Sequence, residues 1–446
     1  MKTTLFVFIF SCLTILSGFA QDITGKWYGR AELGMAKLPI EFDVQSSDDG
    51  YTGTWRSPEQ GDREAPVTSV RWENDTLRIN ITPIDFVYIG ELKESGKIEG
   101  FFAQHGNSYP LDLSREKITR PQDPQPPFPY KEEDITFKNE KAEIELRGTL
   151  TFPESGKDFT AVVLVSGSGA QNRDEALMGH RPFAVLADYL TRQGIAVLRY
   201  DDRGVGKSEG DYASSSIADF ASDAQAAIEY LKTRKEINPK KIGIIGHSEG
   251  GVIAFMLAAE QIPAFIVSMA GIGVPGRELM NLQRAALLKA NGAPEEFIAQ
   301  YNQVVDGATE LVLTVEDKDE LVEKINTLTV GTPLFGSANI LITQLSSPEM
   351  KSFLLFDPAS CYPAIQCPAL VLNGAKDLQV PAEENIQAMI EGFEQVGNIK
   401  VETKIYPGLN HLFQTAETGA IMEYAQIEET ISPEVLEDIV AWLKKR

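Results

Sequence analysis

Between residues 22 and about 117, apolar and polar positions alternate along the chain. Leu38, Ile40, Phe42 and Val44 share one face, with Pro39, Glu41 and Asp43 opposite. Leu77, Ile79 and Ile81 repeat the pattern, as do Tyr109, Leu111 and Leu113. Such period-two segments, broken by Asp-Asp-Gly, Glu-Asn-Asp and His-Gly-Asn, predict antiparallel strands with one solvated face, in a small barrel or a sandwich. His105 falls in one of the turns. From about residue 134 the pattern changes. Amphipathic strands at 135–137 and 144–152 lead into solid apolar runs at 161–165, 195–198, 242–245, 264–269 and 369–372. Runs of this kind are buried on both faces, as in a parallel sheet. Helical stripes lie between them. Ile217, Phe220, Ala224, Ile228 and Leu231 form one; Leu436, Ile439, Val440 and Leu443 form another, with Ser432 to cap it and Pro433 to open it. Strand and helix in alternation predict an α/β fold. Residues about 275–357 carry helical patterns without a buried strand, which predicts a helical lid inserted over the carboxyl ends of the strands.

The boundary between the two patterns is residues 120–129, where five prolines in ten residues stop both ladder and helix. The organisation expected is a leader (1–20), an N-terminal β-domain (21–118), a stiff proline-rich linker (119–133) and an α/β-domain (134–446). The leader reads as a signal peptide: Lys2, an apolar stretch over residues 5–16, then Ser17-Gly18-Phe19-Ala20 before a cut at Gln21. An uncleaved anchor would need a longer apolar run, and a lipid anchor at Cys12 would leave too short a stretch before the cut. The expected destination is the periplasm or the medium, with no stable membrane insertion after cleavage.

Charge and cysteines narrow the chemistry. A net charge of −23 disfavours nucleic acid or anionic membrane as partner, since both demand basic patches. Beyond the leader only Cys361 and Cys367 remain. They can pair in an oxidising compartment or simply pack, and both readings stay open. No four-ligand zinc pattern lies near them, so neither metal nor cofactor is expected.

The chemistry concentrates at Gly246-His247-Ser248-Glu249-Gly250, which follows a buried strand and opens a helix. A G-x-S-x-G turn in that setting is a nucleophile elbow, with Ser248 projecting from the sheet edge. The serine needs a base, and the base an orienting acid. After Ser248 the chain holds a single histidine, His411, in a loop between a strand and the last helix. Asp377 ends a buried strand and is the acid; Glu383 and Glu384 are rivals, but in the first turn of a helix, where the dipole favours acids anyway. His247 points away from its neighbour Ser248 and reads as packing; His180, ahead of the nucleophile, reads as a surface or pocket-rim residue. The oxyanion hole needs two N–H groups. Candidates are the backbone of Glu249 and, from Ser166-Gly167-Ser168-Gly169-Ala170, that of Ser168. Gly204-Val-Gly-Lys-Ser208 lacks the first glycine of a phosphate loop and reads as a turn. Arg173-Asp174-Glu175 reads mainly as ion pairs near the mouth of the site.

The pieces S-G-S-G-A-Q-N-R-D-E, R-Y-D-D-R-G-V-G-K-S, G-H-S-E-G-G, G-A-K-D-L-Q-V-P and G-L-N-H-L-F-Q resemble the α/β-hydrolase superfamily, in its bacterial carboxylesterase-like branch. That branch is similar to the prolyl-oligopeptidase group without its propeller. The resemblance covers about residues 134–446 and implies Ser248, Asp377 and His411 as a triad. Ser166 departs from it, since relatives begin the oxyanion loop with histidine. The implied activity is cleavage of small-molecule esters through an acyl-enzyme. A peptidase or acyltransferase would use the same triad, and a non-catalytic binding protein is the remote alternative. For the β-domain, carbohydrate binding, dimerisation and shielding of the lid edge all stay open.

Overall fold

A computed structural model describes residues 22–33, 36–48, 50–57, 64–117, 120–397 and 400–446; the expected leader lies outside the described residues. The chain divides into two units, one ending at Lys117 and one starting at Ile118.

The first unit is a closed antiparallel barrel. Strands Gly25–Leu33, Ala36–Ser47, Gly50–Arg56, Ser69–Glu73, Thr76–Ile81, Phe86–Leu92 and Ile98–Gln104 are neighbours in chain order. Leu113–Ser114 then pairs with both the first strand (Tyr28↔Ser114) and the seventh (Leu113↔Ile98), which excludes a sandwich. Closure satisfies the sheet edges. The alternating apolar positions fill the interior, with Trp27, Phe42, Tyr88 and Phe102 almost wholly buried. Asn74 (φ 50°), Asp75 (φ 58°) and His105 (φ 49°) take left-handed turn conformations, and the His105 side chain is exposed.

In the second unit the strands are β1 (Tyr130–Asn139), β2 (Ile144–Pro153), β3 (Phe159–Val165), β4 (Ala196–Tyr200), β5 (Ile237–His247), β6 (Ile266–Met269), β7 (Ala369–Gly374) and β8 (Val401–Tyr406). Their order in the sheet is β1-β2-β4-β3-β5-β6-β7-β8. The first two are antiparallel and the rest parallel, in register Val163↔Ile244, Ile245↔Val267 and Val267↔Leu370. Helices α1 (Pro182–Arg192), α2 (Ile217–Lys232) and α3 (Glu249–Ala259) follow β3, β4 and β5. The stripe Ile217, Phe220, Ala224, Ile228 and Leu231 on α2 packs with α3 on one face of the sheet. On the other face α1 packs with the C-terminal helix, over residues 433–443, through Leu436, Ile439, Val440 and Leu443. Ser432 stands at that helix's N-cap, but its side chain makes no capping bond. Strand order reverses between β3 and β5, so their carboxyl ends frame a crevice.

Between β6 and β7 run α4 (Gly276–Ala290), α5 (Glu295–Thr314), α6 (Lys318–Thr329), α7 (Ala338–Leu345) and α8 (Pro348–Leu354). This insertion has its own small core, including Val304, Ala308, Val312, Ile325 and Leu341. Helix α9 (Ala382–Gln395) follows β7, and a short α10 (Ile421–Tyr424) precedes the last helix, α11 (Pro433–Leu443).

Two local readings differ from expectation. Residues 130–133, read as linker, already belong to β1. The proline-rich segment is tied to the second unit: Arg120 donates to the carbonyls of Met178, Gly179, Ala425 and Ile427. Gln122 accepts from the N–H groups of Thr430 and Ile431 and donates to the Ile431 carbonyl. Proline stops regular structure, but the polar side chains between the prolines still seek partners. Cys361 and Cys367 are free thiols, the first buried; burial pushes Cys367 up to about 11.

Candidate active site

Strand β5 ends at His247 and α3 begins at Glu249, so Ser248 is the hinge between them. Its backbone is held at φ 53°, ψ −117°, a region non-glycine residues rarely occupy. The turn is pinned by Ser248 N–H donating to Met269 O (2.9 Å) and Gly251 N–H donating to Ser248 O (2.9 Å). Only glycine fits beside it. A Cβ on Gly246 would lie 2.0 Å from Gly250 O, and one on Gly250 2.1 Å from Val165 O.

Asp377, in the turn after β7, is 3 % exposed. Its Oδ1 accepts from the N–H groups of Gln379 and Val380, both at 2.8 Å, which aims Oδ2 at His411. His411 Nδ1 lies 2.7 Å from that oxygen. With Nδ1–H donated to a carboxylate, Nε2 is left to accept a proton. The histidine loop after β8 is braced by Asn410, whose Oδ1 accepts from Leu412 N–H and Gln414 N–H at 3.0 Å each.

The loop after β3 presents its backbone to the same edge of the sheet. Gly167 N–H is taken by Glu175 Oε1 (2.8 Å), and Gly169 N–H by the Tyr212 hydroxyl (2.8 Å) and Glu349 Oε1 (3.3 Å). Among the described residues neither the Ser168 nor the Glu249 N–H meets an acceptor. Ser166 Oγ donates to Asp202 Oδ1 (3.0 Å) and Gln171 N–H to Asp202 Oδ2 (2.9 Å), so Asp202 supports the loop from below.

The strained turn at Ser248 stands beside the switch point of this sheet. Residues 180–335 match the sequence model of a family described as serine aminopeptidase, S33. The chain is 25 % identical to Esterase EstD of Thermotoga maritima over 357 residues, 79 % of this chain and 75 % of that protein. The protein is a hydrolase with the α/β-hydrolase fold. The hydrolase is also 35 % identical over 123 residues to an acyl transferase of Photobacterium leiognathi, 27 % of this chain and 36 % of that one. An esterase structure from Pyrococcus furiosus, Pf2001, aligns at TM-score 0.43 and 19 % identity over 71 % of this chain and 91 % of that one.

Beside Ser248 the hydrolase gathers carboxylates that sequence reasoning missed. Burial, with Glu349 and Asp202 nearby, pushes Glu249 up to about 8, while its one bond from Ser168 Oγ (3.4 Å) acts the other way. Burial likewise lifts Asp202 to about 7 against its bonds from Gln171 and Ser166, with Glu175 and Asp223 adding to the rise. Glu349, on α8 of the insertion, accepts from Tyr212 at 2.6 Å. About 100 positions separate Glu349 from the elbow, and no spacing in the chain could join them.

Other candidates fall elsewhere. Glu383 and Glu384 are exposed in the first turn of α9. His180 is no surface residue: it is fully buried, with Nδ1 2.9 Å from Thr430 Oγ1 and Nε2 2.9 Å from Tyr424 O. Polar partners on the loop after His411 make that burial affordable, and nothing before that loop in the sequence announces them. Arg173 pairs with Asp201 (2.7 Å) and Asp134 (3.1 Å), and Asp174 with Arg181 (2.5 Å) and Arg199 (2.8 Å). Glu175 instead turns inward to His247 Nδ1, at 2.9 Å. The ring of His247 therefore does more than pack. Residues 204–208 form the turn after β4, with Ser208 Oγ donating to Asp201 O. Among the described residues no group of three His, Cys, Asp or Glu side chains is placed to hold a metal ion, and no helix is long and apolar enough to cross a membrane.

Proposed function

We propose that this hydrolase cleaves carboxylic esters through an acyl-enzyme formed on Ser248. The observation that carries the reading is the short Asp377–His411 hydrogen bond on the sheet edge where Ser248 is held in its strained turn. In this scheme His411 Nε2 takes the Ser248 proton as Oγ attacks the ester carbonyl. Asp377 keeps the ring in the required tautomer and balances the imidazolium charge. The Ser168 and Glu249 N–H groups stabilise the oxyanion, and that they lack other acceptors supports the assignment. His411 then protonates the departing alcohol. Water, activated by the same base, releases the acid. The esterase relative and the carboxylesterase-like motifs, similar to the prolyl-oligopeptidase group, support esters as the substrate class. The scheme requires neither metal nor organic cofactor, and the partner is a small-molecule ester. The reading includes export to the periplasm or medium after removal of residues 1–20; dimerisation stays open.

A second reading, an exopeptidase, has one observation in its favour. Among the described residues the carboxyl groups of Glu249 and Glu349 lie against the oxyanion loop without a basic partner, and a substrate ammonium would suit them. Acyl p-nitrophenyl esters of graded length, assayed beside aminoacyl anilides with free and blocked amino groups, separate the two. Turnover of esters with no preference for a free amine supports the esterase. Preference for the free amine transfers the assignment to the peptidase. A fluorophosphonate that fails to label Ser248 would exclude both.

A further inference from the structure

We propose that Glu175 and His247 form a buried ion pair that positions the general base and the oxyanion loop together. The idea rests on the reading of His411 as the base. The pair is walled in: Glu175 is 5 % exposed and His247 6 %. His247 Nε2 lies 3.0 Å from the carbonyl oxygen of His411, and Nδ1 lies 2.9 Å from Glu175 Oε1. A carbonyl only accepts, so Nε2 carries a proton. Glu175 Oε1 already accepts from Gly167 N–H at 2.8 Å and acts as an acceptor toward Nδ1 as well. Both ring nitrogens therefore donate, and the ring is an imidazolium facing a carboxylate.

This one ring ties three parts of the site. It holds the main chain of His411 directly, and the oxyanion loop through Glu175. It also ends β5, immediately before Ser248. A Cβ on Gly167 would sit only 3.1 Å from Ser248 Cβ, so a small shift of that loop changes the gap in which an oxyanion would sit. Glu175 keeps its inward direction at a cost, since its backbone lies at φ 50°.

The titratable groups that face His247 are few. Glu175 approaches from the loop before α1. His411 lies with ring centroids 4.7 Å apart, and Asp377 stands behind it. Asp202 acts on Glu175 from the far side. The rest of the surroundings are apolar, including Phe183, Leu186, Met269 and Phe413. Burial pulls the His247 ring toward neutrality, but Glu175 and the His411 carbonyl outweigh it and hold the ring protonated above its ordinary range.

Loss of the His247 proton at alkaline pH breaks one of its two bonds, which unlatches either His411 or the oxyanion loop. The kcat profile should therefore fall on an alkaline limb set by His247. In Glu175→Gln the oxygen facing Gly167 remains, but the counter-charge is gone. The limb should move down by about one pH unit or more, with KM within about threefold of native. Glu175→Ala should lower kcat by roughly 10–100-fold, on the scale of a lost orienting partner. An unmoved limb in Glu175→Gln, or native kcat in Glu175→Ala, overturns the proposal. A second test does not depend on activity or on these variants folding. The ¹⁵N resonances of the four histidines, with His247→Gln as the assignment standard, should show His247 doubly protonated at pH 7. A neutral His247 at pH 7 overturns the ion pair. Failure of the underlying reading looks different: there, Ser248→Ala or His411→Ala would keep turnover.

Discussion

At the scale of single residues, Ser248 carries the sharpest prediction. Ser248→Ala should abolish ester hydrolysis and fluorophosphonate labelling, with near-ultraviolet circular dichroism unchanged, because only one oxygen is removed from a turn held by backbone bonds. His411→Ala should do the same. Asp377→Asn should lose roughly 10³–10⁴ in kcat, since its oxygens set the tautomer of His411. Glu249 gives a stability prediction. Burial, then Glu349 and Asp202, lift its folded-state value from 4.5 to about 8. The folded protein thus holds this proton more tightly than the unfolded chain does. The contribution is full below about 4.5 and is lost as pH rises to about 8. Asp202 acts in the same direction up to about 7. Melting temperature should therefore fall less between pH 5 and pH 8 in Glu249→Gln than in the native protein, which thermal scans at each pH will read.

At the scale of elements, the parts that can be traced in the chain are those whose signal is local. The elbow is such a part: a buried strand, two glycines where a Cβ would strike backbone, and a helix follow one another without a break. The proline-rich segment is the opposite case. Its prolines mark a boundary, yet Arg120 and Gln122 tie it to the loops at 178–179 and 425–431. His180 and Gln414 continue that network toward Asn410, next to His411. A chain that begins at Tyr130 should therefore melt lower than one that begins at residue 118, and should turn over esters more slowly. Arg120→Ala alone should cost about 2 kcal/mol, because a charged donor shared among four carbonyls is lost. Equal melting temperatures for the two truncations would remove the segment from the catalytic unit.

At the scale of the whole molecule, each unit carries its own core. The barrel closes its edges and buries Trp27, Phe42, Tyr88 and Phe102 within itself. Residues 22–117 expressed alone should unfold cooperatively, as a single calorimetric transition; a broad transition without an enthalpy peak would mean that the barrel needs the rest of the chain. Mass spectrometry of the mature protein from culture should find Gln21 as the first residue.

The sequence by itself determined which way each segment faces and that Ser248 stands on a turn between a buried strand and a helix. Side-chain period depends only on the backbone of one element, and an elbow is built from consecutive residues. Chain order and histidine count single out His411 as the candidate base, because only one histidine follows Ser248. Barrel closure was undecided in sequence, since Leu113 meets Gly29 and Ile98 only when the sheet curls upon itself. The same limit hid the partners of His247. Glu175, His247 and His411 are joined by hydrogen bonds across 72 and 164 positions of chain. Bonds of that span exist only after the sheet has placed three loops at one edge, so tertiary structure alone decides them.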